Sequence, residues 1–436
     1  MLSTDCQFKN AQQETATLLL YKFLNNRQKV FLLEGIPGSG KTHTVSNFLK
    51  NQHDIPYCNI IILTPTHQAK KVIAEKTGGK FECSTIHSFL GFTKQIDKNG
   101  DTFFKITEKK DSGSSIKVVV VDECSMVNKK CFEALMKIRN KKDFKLIFLG
   151  DKNQLPPIGE NVSLSFGVDK EDRYKLTENV RNSNDIFKLT TYILQNIRKK
   201  CDFFTESTKN ITVYKNVIEY HEKLKQVVKE TDKINQVKIL CWTNNKRKNM
   251  NVYVRKLKYG DSPQKYYVGE ELISMSMLMS VDGQTQLATN DMFEIEGLEK
   301  EMINVDKSEH IPKRFKKYFE EMPEFEVWKI SNTDFYIYDM VDKYVKKFNR
   351  IMEMIYDECY EYKKKDFWEQ YYRLKEIFLP EVDYTYALTV HRSQGSEWDI
   401  IFLDSSNINR NRKMLEKNKL IYVGASRSKT KLYVLK

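Results

Sequence analysis

From about Val30 to Leu155, short apolar runs alternate with stretches whose apolar residues fall at helical spacing. Val30-Phe31-Leu32-Leu33 reads as a buried strand, and "NIIILTPT" (59–66), "IKVVVVDE" (116–123) and "FKLIFLGD" (144–151) read as three more. Each of these three passes from apolar to polar residues at its C-terminal end, where ligands bind in an open parallel sheet. The pattern predicts an α/β domain over roughly residues 1–178. One stretch interrupts it. "GFTKQIDKNGDTFFKITEKK" (91–110) alternates around Asn99-Gly100, a dipeptide suited to a hairpin turn, and is too polar to be core. A second α/β unit is predicted in two pieces, "VKILCWTNN" (237–245) and then "TYALTVHRSQGSEWDIIFLD" (385–404) with "LIYVGASRSKTKLYVL" (420–435). Between them, residues 255–383 lack the alternation. "YVGEELISMSM" and "NDMFEIEGLE" suggest a small β module, and residues 339–378 suggest long charged helices with an apolar stripe. The fold class expected is α/β with two parallel-sheet domains, a β-hairpin inserted in the first and a β-plus-helical insertion in the second.

The first strand leads into "LEGIPGSGKTHTVSNFL" (33–49), where Gly35, Gly38, Gly40, Lys41 and Thr42 fit G-x-x-x-x-G-K-T. Strand before and helix after are the context a phosphate-binding loop requires. The backbone of Gly35, Pro37, Gly38, Ser39 and Gly40 would curl around phosphate oxygens at a helix N-terminus. Lys41 would reach the β and γ phosphates and Thr42 would hold Mg²⁺. ATP and Mg²⁺ are therefore the expected ligands.

Asp122 and Glu123 follow four valines. A carboxylate there can complete the metal shell with Thr42, and a second can polarise water. Gln154 in "LGDKNQLPPIG" can sense a γ phosphate, Asp151 can close its turn, and Pro156-Pro157 stiffens the loop beyond it. Arg181 in "LTENVRN" and Arg427 in "YVGASRS" come after strand-like sequence, where an arginine can stabilise charge on a transferred phosphoryl group.

Composition narrows the partner. The 436 residues allow two to four domains, and 72 Lys plus Arg against 58 Asp plus Glu leave a formal charge of +14. Such a charge attracts a polyanion and fits a solvated lysine-rich surface equally well. The eight cysteines form no C-x-x-C pair, which argues against zinc and for free thiols in a reducing compartment. No apolar run approaches a membrane span, and the polar "MLSTDCQFKN" does not read as a targeting peptide. A cytoplasmic protein without membrane partners is expected.

Taken in order, the motifs resemble those of superfamily 1 helicases. Gly35 to Thr42 resembles motif I, "LTPTHQAKK" (63–71) Ia, "STIHSFL" (84–90) Ib, "VDECSM" II, "GDKNQLPPIG" III, "LTENVR" IV, "TVHRSQGSEWD" (389–399) V and "YVGASR" (422–427) VI. "NAQQETA" (10–16) fits N-x-x-Q-x-x-A, which makes Gln13 the candidate adenine reader with Gln12 as alternative. Within the superfamily the chain is most similar to the RecD-like group, especially the Dda-type helicases of T-even phages. "STIHS" before an Asn-Gly hairpin, "CWTNNKRKNMN" before "VGEELI", and helices ahead of motif V resemble that group's pin, SH3-like module and tower.

The resemblance implies a first RecA-like domain (1–90, 115–178), a pin (91–114), a second RecA-like domain (179–254, 384–436) and an SH3-like module with a helical tower (255–383). It implies ATP between the RecA-like domains, single-stranded DNA across them, 5′-to-3′ movement and a pin that splits the duplex. Lys41, Thr42, Asp122, Glu123 and Gln154 would line the first half of the ATP cleft. Arg181 and Arg427 would be fingers from the second, with Gly395 and Glu397 near the γ phosphate and ribose. Thr64, Pro65, His67, Thr85 and His87, and from the second domain Thr243, Asn244, Thr389 and His391, would touch the DNA strand. Phe103 or Phe104 would face the fork, with Phe104 preferred because it lies nearer the returning strand. The partners implied are single-stranded and fork DNA, with a single-strand-binding protein or replisome component as a candidate, and the chain is expected to be monomeric and of phage or viral origin.

One departure stands out: Val180 precedes the motif IV arginine, where many relatives carry an aromatic that stacks on adenine. The rival readings are an RNA helicase, a DNA-stimulated ATPase that displaces proteins without unwinding, and a small-molecule kinase. The last has no use for "TVHRSQG" or two distant arginines.

Overall fold

The computed structural model describes residues 10–106, 116–178, 185–283 and 286–436. Its first domain is a six-stranded parallel sheet in the order Glu82–Thr85, Ile60–Thr64, Val118–Val121, Lys145–Gly150, Val30–Gly35, Arg173–Leu176. The apolar runs lack alternation because both faces of the sheet are covered. Phe31, Leu33, Ile60, Ile62, Val118, Val120, Ile147 and Leu149 share one core with Val45, Phe48 and Leu49 of the helix Lys41–Asn51. The intervening Leu32, Ile61, Val119 and Phe148 are equally buried.

The second domain is a five-stranded parallel sheet in the order Ala387–Thr389, Val237–Cys241, Trp398–Asp404, Ser428–Leu435, Ile211–Tyr214. Its pieces lie on either side of residues 255–383, and the Asn251 carboxamide helps close the gap by accepting from Ala387 N at 2.6 Å. The edge strand Ile211–Tyr214 is only four residues long and buried at Ile211 alone, so no long apolar run marks it in the sequence. Both sheets belong to one compact unit, and residues 91–107 with 263–385 form another.

In that second unit, Glu271–Ser274 pairs antiparallel with both Met292–Glu294 and Val382–Tyr384. A longer meander, Gly297–Asn304, Glu324–Asn332 and Phe335–Met340, stands beside it; its first strand begins within the expected "NDMFEIEGLE" segment, and the other two have no counterpart among the elements expected from sequence. The helices Asp342–Tyr362 and Lys365–Phe378 pack on the meander through Phe319, Phe325, Phe348, Ile355, Trp368 and Phe378. Lys265 ties their base by bridging Asp339 at 2.7 Å and Asp342 at 3.0 Å.

The hairpin forms where expected, with Phe92–Ile96 antiparallel to Thr102–Ile106. The expectation that it is too polar to be core needs correction. Ile96 is 8 % exposed and joins the core of the two helices, and Gly100 meets Trp368. A single apolar residue and a glycine suffice, because the turn contributes backbone rather than side chains to the contact.

Candidate active site

Gly38 (φ 80°) and Gly40 (φ 82°) take left-handed backbone in the phosphate loop, a conformation a Cβ would strain. The helix Lys41–Asn51 starts from Gly40 without a side-chain cap, which leaves its first N–H groups for an anion. Lys41 Nζ donates to the loop's own carbonyls, Gly35 O at 2.6 Å and Ile36 O at 3.2 Å. Ser39 is fully buried and its Oγ has no partner. Gln13 is 1 % exposed and its Nε2 donates to Ser39 O at 3.2 Å, whereas Gln12 turns away and bonds Thr177 and Glu178. Of the two candidate adenine readers, Gln13 is the one in contact with the loop.

Thr42 Oγ1 donates to Asp122 Oδ2 at 3.0 Å, so a hydroxyl and a carboxylate meet beside the loop, the donor set that suits Mg²⁺. The next residue, Glu123, sits in left-handed backbone (φ 50°, ψ 44°), and Asp122 Oδ1 accepts its N–H at 2.9 Å. A non-glycine residue held there is strained, and the strain turns two consecutive carboxylates to one place. Glu123 Oε2 is enclosed without a partner. Burial, and next the charge of Asp122, hold this carboxyl above the usual carboxylate range, while Lys41 and Arg427 pull it down. A group that must be ionised to act as a base, with its pKa raised, loses function as pH falls through that raised value. The acid limb of kcat/KM for ATP is thus expected above the ordinary Glu range. A pH–rate profile of the free enzyme checks this, and a limb at or below pH about 4.3 rejects it.

Gln154 is 3 % exposed with Oε1 unpartnered. Together with Ser39 Oγ and Glu123 Oε2 it makes three enclosed polar atoms awaiting a ligand, which fits a polyphosphate with its metal. Arg427 of the second domain, 3 % exposed, acts on the Glu123 carboxyl, and its guanidinium donates to Val423 O at 3.1 Å and Ser396 O at 3.2 Å. Gly395 (φ 81°) lies beside Thr66 and Ala69 of the first domain, and Glu397 is half-buried two residues on. Arg181 and Val180 lie outside the described residues. Two residues not singled out from sequence cross between the domains: Tyr422 OH donates to Asp151 Oδ2 at 2.6 Å, and Gln394 Nε2 to Leu155 O at 3.1 Å. Both sit inside motifs V and VI, but only pairing across the cleft distinguishes them from their neighbours.

The candidate strand contacts divide by exposure. Thr64 is fully buried and donates to Thr66 O at 2.8 Å. Thr85 is buried and accepts from Ser88 N at 3.2 Å, and Thr389 is 6 % exposed. The Thr64 and Thr85 hydroxyls thus bond within their own loops. Thr243 caps the helix Asn244–Tyr259, accepting Lys246 N at 3.3 Å. Pro65 and His391 are half-buried, and Asn244 and His87 are exposed. His87 Nε2 lies 3.7 Å from Cys131 Sγ. Burial holds the His391 imidazole below its usual pKa, which favours the neutral ring. The side chains of His67 and Phe104 lie outside what is described, and Phe103 is 45 % exposed.

A phosphate loop, an acidic pair and a glutamine on one parallel sheet, answered by an arginine from a second, define a two-domain P-loop ATPase. Residues 23–160 match the AAA domain family model, and residues 384–435 match the UvrD-like helicase C-terminal domain. An uncharacterised protein of Acanthamoeba polyphaga mimivirus is 26 % identical over 98 % of this chain and 99 % of its own length. The ATP-dependent DNA helicase dda of Enterobacteria phage T4 is 26 % identical over 62 % of this chain and 63 % of its own, so that similarity is partial. A Pif1 helicase structure, from work on unwinding of forked double-stranded DNA, shares the fold at TM-score 0.53 and 16 % identity, covering 99 % of this chain and 92 % of that one. These matches support a superfamily 1 helicase similar to the RecD-like group, an enzyme that hydrolyses ATP. Among the described residues no helix is long and apolar enough to cross a membrane.

Proposed function

We propose that this protein is a DNA helicase that moves 5′ to 3′ along single-stranded DNA and splits the duplex with the hairpin 91–107. The observation that carries the pin reading is the bracing of the hairpin tip. Trp368 Nε1 donates to Lys98 O at 3.2 Å and Tyr372 OH to Gly100 O at 2.9 Å. Asp97 closes the turn by accepting from Asn99 N at 2.8 Å and Asp101 N at 2.9 Å. An element that separates base pairs must not bend under load, and this one is held at its tip. Phe103, paired with Gln95 on the face opposite the buried Ile96, offers an exposed ring that can stack on a terminal base pair.

In the ATP site, Thr42 and Asp122 would hold Mg²⁺, whose chemistry when bound is to neutralise developing phosphate charge. Lys41 binds the β and γ phosphates, and Glu123 takes a proton from water aligned by Gln154. Arg427, and Arg181 by the family resemblance, stabilise the transferred phosphoryl. Leaving its present carbonyl partners for that group is the change that would draw the domains together. Arg427→Ala is expected to lower kcat by about a hundredfold or more and leave affinity for an ATP analogue within about threefold. Equal losses in both would make it a ground-state ligand instead.

Support for DNA comes from the naming of dda as a DNA helicase, and support for polarity from the RecD-like motifs. ATPase activity with and without single-stranded DNA, then unwinding of 5′-tailed, 3′-tailed and matched RNA duplexes, tests the reading. Expected are stimulation by DNA and unwinding of the 5′-tailed DNA fork. Preference for RNA, or stimulation with protein displacement and no unwinding, would establish one of the rivals. The same reading has Gly395 and Glu397 at the nucleotide, His67, His87, Asn244 and His391 along the strand, a monomer as the working form, and a reducing, cytoplasmic setting in an infected cell. A single-strand-binding protein remains the candidate partner.

A further inference from the structure

The loop after the strand Lys145–Gly150 carries Gln154, and its fold is local. Gln154 N donates to Asp151 O at 3.1 Å, and Asn153 donates to Asp151 Oδ1 through N at 2.9 Å and Nδ2 at 3.1 Å. This occupies one carboxylate oxygen and leaves Oδ2 for a partner from the second domain. That partner is Tyr422, fully buried, at 2.6 Å, in the helix Met414–Ser426 that Arg427 caps. On the other side of Gln154, Leu155 O accepts from Gln394, 6 % exposed, in the loop after the strand Ala387–Thr389. Lys419 adds a contact to Lys152 O at 3.3 Å. Positions 151, 152 and 155 are thus each held by the second domain, and Gln154, bracketed by them, keeps an unpartnered Oε1.

Packing alone does not account for this. A phenylalanine would fill the Tyr422 site without the desolvation cost of a buried hydroxyl, so the hydroxyl is there for its bond to Asp151. Tyr422 and Arg427 also share one rigid element, so any movement that brings the arginine to the nucleotide pulls on the Gln154 turn as well. We propose that Tyr422 and Gln394 form a two-point latch that sets Gln154 according to how the two domains are seated, making them positioning residues for ATP hydrolysis. The inference rests on the proposed reading of the ATP site.

The test uses the full chain with Tyr422→Phe and, separately, Gln394→Leu. Steady-state ATPase is measured with and without single-stranded DNA, alongside binding of a non-hydrolysable ATP analogue and thermal melting. The expected result is a fall in kcat of about tenfold for each, the scale of a lost hydrogen bond to a charged or well-placed group, with KM for ATP and analogue affinity within twofold. Asp151→Asn, whose oxygen can keep the turn while its NH2 donates to the phenol, should lose less than Asp151→Ala. Asp151→Ala should lose at least as much as Tyr422→Phe, and combining the two should cost no more than Asp151→Ala alone. An unchanged kcat in a well-folded Tyr422→Phe protein overturns the latch. So does a fall in which kcat, KM and melting temperature move together and Asp151→Asn gives no rescue. If the parent protein hydrolyses ATP without responding to DNA, the strand-binding reading fails while the latch is still judged on basal kcat.

Discussion

Lys41→Ala is expected to lower ATP turnover by at least about a hundredfold and to remove DNA-stimulated turnover and unwinding with it. The Lys41 ammonium holds Gly35 O and Ile36 O, and in the proposed reading it also neutralises the transferred phosphate. The two roles differ in size. Losing the carbonyl contacts costs about 1 kcal/mol, because half-buried carbonyls regain water, and a loss of that scale shifts melting by a few degrees at most. Losing the phosphate contact removes charge neutralisation where no other lysine of the loop can supply it. Melting curves with and without ATP separate the two. The variant should melt within a few degrees of the parent alone and show a much smaller rise when ATP is added. Substantial residual hydrolysis would reject the phosphate-loop assignment.

The second large effect is expected at the hairpin, and it should separate hydrolysis from unwinding. Phe103→Ala should leave DNA-stimulated ATPase and translocation near the parent level while duplex unwinding falls about tenfold or more, since stacking on one base is worth about 1–3 kcal/mol. Phe103 is chosen for the test because its ring is exposed on the face away from Ile96, whereas the side chain of Phe104, preferred from sequence, lies outside what is described. The brace should matter as much as the ring. Gly100→Ala would place a methyl 2.7–2.9 Å from the Trp368 indole at φ 88°, and the tip must leave the helix to relieve it. Tyr372→Phe removes only the bond to Gly100 O. Both should lower unwinding without lowering single-strand-stimulated ATPase, Gly100→Ala more strongly. Trp368→Ala is a poorer probe, because the indole is fully buried and its loss would cost several kcal/mol of core packing. Normal unwinding by Phe103→Ala and Gly100→Ala together would show that another element separates the strands. ATPase lost in step with unwinding would make the hairpin a folding element instead.

The candidate ATP site was legible because its geometry depends on local sequence. A glycine-rich turn between a strand and a helix, or an acidic pair at the end of four valines, works through backbone and side chains a few residues apart. Gly38, Gly40, Lys41, Thr42, Asp122 and Glu123 could therefore be named from the chain alone. The two parallel sheets were legible for a related reason: strands buried on both faces must be continuously apolar, as at Ile60–Thr64 and Val118–Val121. Where that condition lapses, at the edge strand Ile211–Tyr214 and the last two strands of the meander within residues 297–340, the pattern fell silent. Tertiary structure decided what depends on residues far apart in sequence. Asp151 and Tyr422 are 271 positions apart, and Gly100 and Tyr372 are 272. No periodicity or motif spacing encodes such pairs, because each is set by how whole elements pack. That packing decides the choice of Gln13 over Gln12 at the loop, the bracing of a polar hairpin by an aromatic helix, and the seating of Gln154 by the opposite domain.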